Sequence, residues 1–472
     1  METEKAKSKV AESKERLFHE RKNGWDCLKP ENEQVLQEYN RQYKSFLDAA
    51  KTEREAVDEI IRQIEPLGYQ NLLECKSADK SYFNHYGKSI AIYRDGKNGL
   101  ESGLNILVAH LDSPRLDLKQ YPIYEDTDIV FFKTHYYGGI KKYQWLSRPL
   151  AIHGVVILTD GTKKEIVIGE AESDPVFTIA DLLIHLSKKA QMGKTVAEFI
   201  PGEKLNVIIG ARPLGQEKED QRSKAAILEL LNEKFGIKEE DFLSADLEVV
   251  PAGKARDVGL DRALIGGYGH DDRVCAYASL RAILDAETLD KPALVLLMDK
   301  EEIGSEGATG SNTWFLEMVL GEILAKSGND QYTKLRRLLT KASCLSADVN
   351  AAVHPDWAEV HDKRNAGYLG GGLVISKFTG SGGKGGSNEA NAEFVAVLRK
   401  IFTDSDIVWH MAELGKIDEG GGGTIAKFMS YYGMNVIDAG VPVLDMHSPF
   451  EIVSKIDTWN MYQGFKAFLE KA

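Results

Sequence analysis

The feature that most constrains this chain is an alternation. From Gly266 onward, short apolar runs suited to strands take turns with runs of helical periodicity. CAYASLRAIL, SNTWFLEMVLGEILA, NAEFVAVLRKIF and GGTIAKFMSYYG read as helices; ALVLLMD, ASCLSADV, DIVWHMAEL and NVIDAGVPVLDMHS read as strands. Such alternation marks a layered α/β unit, a sheet with helices on its faces. The strand that would open this sheet, LNILVAH ending at His110, lies far upstream. Residues 118–250 intervene. They carry the strand-like pieces AIHGVVIL, KEIVIG and KLNVIIGA, with helical patterns around IADLLIHLSKKA and QEKEDQRSKAAILELLNEKFGI. The pattern predicts an α/β unit split into residues 1–117 and 251–472 by an inserted region, 118–250. A chain of 472 residues is long enough for such a two-part arrangement.

Upstream of the first strand, SIAIYRDG alternates like a strand and closes in a turn. From Glu31 to Ile64 the pattern is helical, with Val35, Tyr39, Tyr43, Phe46 and Leu47 at helix spacing, and Pro66 and Gly68 end it. Residues 1–30 are highly charged and read as a partly disordered arm.

Charge and composition narrow the function. Lys plus Arg number 59 and Asp plus Glu 72, so 59 − 72 = −13. That balance argues against nucleic acid or an anionic membrane as the main partner. Cys27, Cys75, Cys275 and Cys344 are scattered and form no CxxC pair, which fits a reducing compartment. The N-terminal stretch lacks the apolar core of a secretory signal. No apolar run approaches the roughly 20 residues of a membrane span. The expectation is a soluble cytoplasmic protein.

In an open α/β sheet, ligands bind beyond the carboxyl ends of the strands. The polar residues at those ends are His110, the adjacent pair Glu301 and Glu302, Asp348, and His447; His270-Asp271-Asp272 opens a helix. Any one of these alone reads as a satisfied cap or turn, and Asp271 and Asp272 would suit a helix N-terminus. Together they would crowd uncompensated carboxylates onto one rim, which is costly when buried. Divalent cations would neutralise them, and imidazole with carboxylate suits zinc, with cobalt and manganese as alternatives. The neighbouring glutamates can then divide the labour: Glu302 holds an ion while Glu301, unligated, moves protons as a general base.

Assembled in this way, the chain closely resembles the M18 family of metallo-aminopeptidases, the aspartyl aminopeptidase family. The resemblance rests on AHLDSPR, GYGHDDRVCAYASL, DKEEIGSEGATGS, SADVNAAVHP and DMHSPFE, which occur in the family's order. It implies an α/β/α zinc-aminopeptidase catalytic domain (phosphorylase/hydrolase-like) with an inserted β-rich dimerisation domain. It also implies two divalent ions per subunit. His110 and Asp348 would hold one, Glu302 and His447 the other, with Asp271 between them and Glu301 as the base. Asp112 would orient the His110 ring. Eukaryotic members carry Asp-Asn where this chain has Asp271-Asp272; the first Asp would be the bridging ligand, Asp271 here, with Asp272 as the alternative. The segment GYLGGGLVISKFTGSGGKGGSNEANAEF resembles the substrate-pocket region, with Lys377 the first candidate for an acidic side chain and Lys384 the second. The expected activity is removal of an N-terminal residue, Asp or Glu by preference, from short peptides. Family members commonly assemble as dodecamers built from dimers, so a homo-oligomer, a dodecamer of that kind, is expected.

The alternatives are a neutral-residue aminopeptidase, and a deblocking peptidase or deacylase on the same scaffold; an aminopeptidase should fail on N-acetylated peptides. A non-enzymatic relative would lack a ligand or the base, and none is missing. GSGGKGGS does not fit the spacing of a phosphate loop, and His361 reads as a surface-loop residue.

Overall fold

The computed structural model describes residues 8–216 and 218–472. A nine-stranded mixed sheet forms its centre. Six of its strands matter here: β1 (Ser89–Arg94), β2 (Asn105–His110), β3 (Ala293–Met298), β4 (Ser343–Ala347), β5 (Leu373–Ser376) and β6 (Asn435–Gly440). They lie in the order β1-β3-β2-β4-β6-β5. β3, β2, β4 and β6 run parallel, while β1 is antiparallel to β3 and β5 to β6. Met298 pairs with His110, so β2 and β3 end flush and release their following residues at one rim.

Every residue of β2 and β3 is buried. This is why NILVAH and ALVLLM read as unbroken apolar runs: a parallel sheet is covered on both faces. Alternate side chains go to opposite faces. Leu107, Ala109, Val295 and Leu297 pack against helices α1 (Glu33–Ala49), α2 (Glu53–Ile64), α3 (His270–Asp285) and α4 (Lys455–Lys471). Ile106, Val108, Leu294, Leu296 and Met298 pack against helices Phe315–Lys326 and Tyr332–Lys341.

The helical stretch expected from Glu31 to Ile64 is two helices. Thr52 accepts from the Glu55 N–H and Glu55 reaches back to the Thr52 N–H, a capping box that starts α2 afresh. Within α1 the buried stripe is Leu36, Tyr39, Tyr43, Phe46 and Leu47, whereas Val35 is exposed. The helix Tyr332–Lys341 was not anticipated, because its charged TKLRRLLTK sequence shows only a narrow Leu335-Leu338-Leu339 stripe. NVIDAGVPVLDMHS, read as one strand, is two: β6 ends at Gly440, and Pro442–Leu444 joins a separate five-stranded sheet. Of the charged N-terminal arm, residues 1–7 lie outside the described residues. Lys9–Leu17 is a helix with no buried side chain, and Gly24 donates its N–H to Gly370 O at 2.7 Å.

Residues 115–251 form a six-stranded antiparallel sheet, in the order Lys163–Ile168, Leu150–Ile157, Ala245–Pro251, Arg115–Asp126, Ile129–Tyr137 and Val207–Gly210. It has a core of its own, with Phe132, Trp145, Phe242 and Val249 buried and helix Arg222–Phe235 packed on it through Ile227 and Leu231. No helix among the described residues is long and apolar enough to cross a membrane.

A buried imidazole helps join this sheet to α2. His153 lies between Glu55 (2.7 Å) and Glu170 (3.1 Å). Burial disfavours its charged form, but the bonds to Glu170 and Glu55 prevail and its pKa is raised. A raised folded-state pKa stabilises fully below the unfolded value, about 6.5, and the contribution is lost as pH rises through the folded value. Thermal unfolding of His153→Phe is therefore expected to trail the wild type most below pH 6.5, with the gap narrowing in alkali. A gap independent of pH would exclude this linkage.

Candidate metal centre

The rim formed by β2, β3 and β4 gathers the polar strand-end residues. His110 closes β2 and is 1 % exposed. After β3, Lys300 takes a left-handed turn (φ +69°) that folds Glu301 and Glu302 back over the strand ends. Asp348 follows β4, and Asp271 opens α3. His447, itself left-handed at φ +65°, sits in the turn after Pro442–Leu444.

Asp271 stands at the middle. One carboxylate oxygen is 3.2 Å from His110 Nε2 and the other 3.2 Å from His447 Nε2. Glu302 Oε2 lies 3.4 Å from His447 Nε2, and Glu301 Oε2 4.0 Å from His110 Nε2. The potential ligand atoms of His110, Asp271 and Glu302, and those of His110, Glu301 and Asp348, converge within 4.8 Å of one another. Asp272 lies alongside Asp271 and Asp348 but turns one oxygen to the His110 N–H at 3.3 Å. The structure thus places an oxygen of Asp271, and not of Asp272, against each imidazole.

The electrostatics call for added positive charge. Burial, reinforced by Asp271, pushes Glu302 well above the ordinary carboxyl range; burial, reinforced by Asp272 and Glu301, does the same to Asp348. Burial also raises Glu301 to about 7, against the pull of His110. Glu302 Oε1 and Asp272 Oδ1 are buried without a hydrogen-bond partner. Among the described residues, no Lys or Arg forms an ion pair with Asp271, Glu301, Glu302 or Asp348. The donor set of two imidazoles and several carboxylates fits divalent zinc, cobalt or manganese.

Two further carboxylates brace these loops. Asp112, fully buried, accepts the N–H groups of Glu301 and Glu302, both at 3.1 Å. His110 Nδ1 bonds the main-chain oxygen of Asp112 at 2.9 Å, with the Asp112 carboxylate farther away at 3.4 Å. The main chain of Asp112, more than its side chain, therefore orients the ring. Glu451, 1 % exposed, accepts the Asp271 N–H at 3.0 Å and the His447 N–H at 2.7 Å. It clamps two segments far apart in sequence. Sequence reasoning missed it, although an acid at the head of the buried strand Glu451–Ser454, four residues after His447, was the available signal.

Neither lysine of the expected substrate pocket touches these groups. Lys384 bonds Glu389 at 2.9 Å and lies 3.9 Å from the Phe378 ring centroid; Lys377 is 4.0 Å from Glu389. His361 is buried, and accepts a bond from the His354 N–H at 3.4 Å.

Comparison with known proteins shows the family. Residues 46–469 match the model of the family described as aminopeptidase I zinc metalloprotease (M18). A probable M18 family aminopeptidase 1 of Clostridium acetobutylicum is 48% identical over 460 residues, 96% of this chain and 99% of that protein. The crystal structure of an M18 aminopeptidase from Thermotoga maritima superposes with a TM-score of 0.93 at 46% identity, covering 96% of this chain and all (100%) of that one. Aminopeptidase I from Clostridium acetobutylicum gives 0.90 at 46% identity, with the same coverage. Matched over nearly its whole length at this identity, the chain belongs to the M18 family of zinc metalloproteases and is a metallo-aminopeptidase.

Proposed function

We propose that the protein removes N-terminal acidic residues from short peptides at a centre of two divalent ions, zinc by preference. The observation that carries this reading is Asp271, whose two oxygens each face a different imidazole at 3.2 Å. His110 and Asp348 would hold one ion and Glu302 and His447 the other, with Asp271 shared. Bound there, the ions would acidify a water towards pKa ~7 and stabilise negative charge developing on the scissile carbonyl. Glu301 is the group placed to take a proton from water and hand it to the leaving amine. Asp112 holds Glu301 and Glu302 by their main chain, and Glu451 holds Asp271 and His447, so the donors are set before substrate arrives. Lys377, the less committed of the two lysines beside Glu389, is the cation offered to an acidic N-terminal side chain.

Residues 118–250 act in this reading as a dimerisation domain inserted into the catalytic domain, 1–117 with 251–472, and the dimers build a dodecamer. Exposed Leu183, Ile184, Leu186, Met192 and Val196 within the insert support an interface there.

A panel of aminoacyl-anilides tests the activity. Acidic residues should be released faster than neutral ones, chelation should abolish release, and zinc, cobalt or manganese should restore it. Equal cleavage of N-acetylated substrates would favour a deblocking peptidase or deacylase instead. Glu451→Gln, which replaces one acceptor oxygen with a donor, is expected to weaken zinc binding about 10–100-fold. Unchanged zinc content after dialysis would remove Glu451 from its bracing role.

A further inference from the structure

The strand Ile129–Tyr137 belongs to the six-stranded sheet, yet its exit meets the candidate metal centre at three consecutive residues. Tyr137 donates its phenolic O–H to Asp112 Oδ2 at 2.8 Å. Gly139 accepts at its main-chain oxygen from His447 Nδ1 at 2.8 Å. Between them Gly138, at φ +72°, lies beside Glu302: a Cβ there would be in ordinary contact, 3.4 Å from Glu302 Cβ and Oε2.

Each contact constrains a donor. A carbonyl can only accept, so His447 Nδ1 carries a ring hydrogen, which in the neutral ring leaves the Nε2 lone pair towards Asp271 and Glu302. Asp112 Oδ2 takes the Tyr137 hydroxyl and the Glu302 N–H together. Without the phenol, Asp112 would keep main-chain donors from one loop only, and its orientation would slacken. The Tyr137 ring is itself fixed, 8 % exposed and 4.0 Å from the Arg115 guanidinium. At Gly138 the left-handed turn favours glycine.

We infer that Tyr137-Gly138-Gly139 is a positioning device through which the six-stranded sheet assembles the metal centre: Tyr137 sets Asp112 and the Glu301–Glu302 turn, and Gly139 sets the His447 ring. This rests on the reading of the rim as a metal centre. The inserted sheet is on this view an integral part of the ligand geometry, and Tyr137 is a positioning residue that never meets substrate.

Metal titration of the chelator-stripped protein tests this apart from activity. Cobalt(II) is added while visible absorption is recorded, for wild type, Tyr137→Phe, Gly138→Ala and the control Tyr136→Phe. Tyr136 is 43 % exposed on the same strand, and its ring faces Gly202 instead of the rim. Tyr137→Phe should bind cobalt about 10–100-fold more weakly and with an altered spectrum. Reconstituted with metal, it should show a lower kcat at nearly unchanged KM. Tyr136→Phe should match wild type. Gly138→Ala, which keeps the hydroxyl but strains the left-handed turn beside Glu302, should also bind more weakly, and it decides the matter if Tyr137→Phe does not fold. Wild-type affinity and spectrum in both rim variants would overturn the inference. A wild type that takes up no cobalt would instead remove the metal-centre reading on which it rests.

Discussion

Glu301→Gln is expected to retain its metals and lose about 10²–10⁴-fold in kcat, the usual worth of a positioned general base. The substitution keeps size and shape, but an amide cannot take up a proton at neutral pH. Its main chain should not move, because the Glu301 N–H is held by Asp112 Oδ1 at 3.1 Å whatever the side chain. The neighbouring Glu302→Gln should behave differently. Glu302 Oε2 lies 3.4 Å from His447 Nε2 and its other oxygen is buried without a partner, so loss of its charge should lower bound metal first. Metal analysis alongside kcat separates the two variants. Full turnover in Glu301→Gln would remove Glu301 as the base, and full metal content in Glu302→Gln would remove Glu302 as a ligand.

What could be read from the sequence follows a physical divide. The apolar runs of β2 and β3 end abruptly in His110 and in Asp299-Lys300-Glu301-Glu302 because parallel strands are buried on both faces up to the rim. Local pattern therefore locates the rim residues. It does not report strand direction. β5 is antiparallel to β6, with Val374 paired to Gly440 and Ser376 to Asp438. The direction in which β5 carries the chain to Lys377 is set by this pairing, which no local pattern encodes. Main-chain contacts are equally silent in sequence: Glu451 acts through the N–H groups of Asp271 and His447, and Gly139 acts through its carbonyl. The division of the 31–64 stretch was legible in principle, since Thr52 with Glu55 spells a capping box. The apolar stripe continuing on both sides concealed it.

The largest stability effect is expected at Arg115, where the six-stranded sheet meets α2. Arg115 is 5 % exposed and lies among three carboxylates: Asp117 at 2.9 Å, Glu248 at 3.0 Å and Glu53 at 3.5 Å. Glu53 is fully buried, and its second oxygen is 3.1 Å from Lys88 Nζ. Burial alone would raise Glu53, but Arg115 and then Lys88 overcome it and hold the carboxyl well below its usual range. Glu248 goes the other way, pushed well up by burial despite Arg115. Burial and the shared guanidinium thus shift Glu53 and Glu248 in opposite directions. Removing that guanidinium while leaving Glu53 in place strands part of a buried charge, with Lys88 alone to balance it, a loss of up to about 3–5 kcal/mol. Arg115→Met, which keeps much of the volume, should accordingly lower the denaturant midpoint sharply at pH 7. The sign of the pH dependence follows from Glu53. A depressed folded-state pKa stabilises above the unfolded value, about 4.3, and the gain is lost as pH falls through the folded value. The gap between wild type and Arg115→Met should therefore be widest near neutrality and close in acid, where Glu53 needs no cation. Adding Glu53→Gln to Arg115→Met should recover much of the loss at pH 7, because the stranded charge is gone. Equal midpoints for wild type and Arg115→Met at pH 7, or no recovery in the double variant, would show that the stability of this junction comes from packing and not from the buried ion cluster.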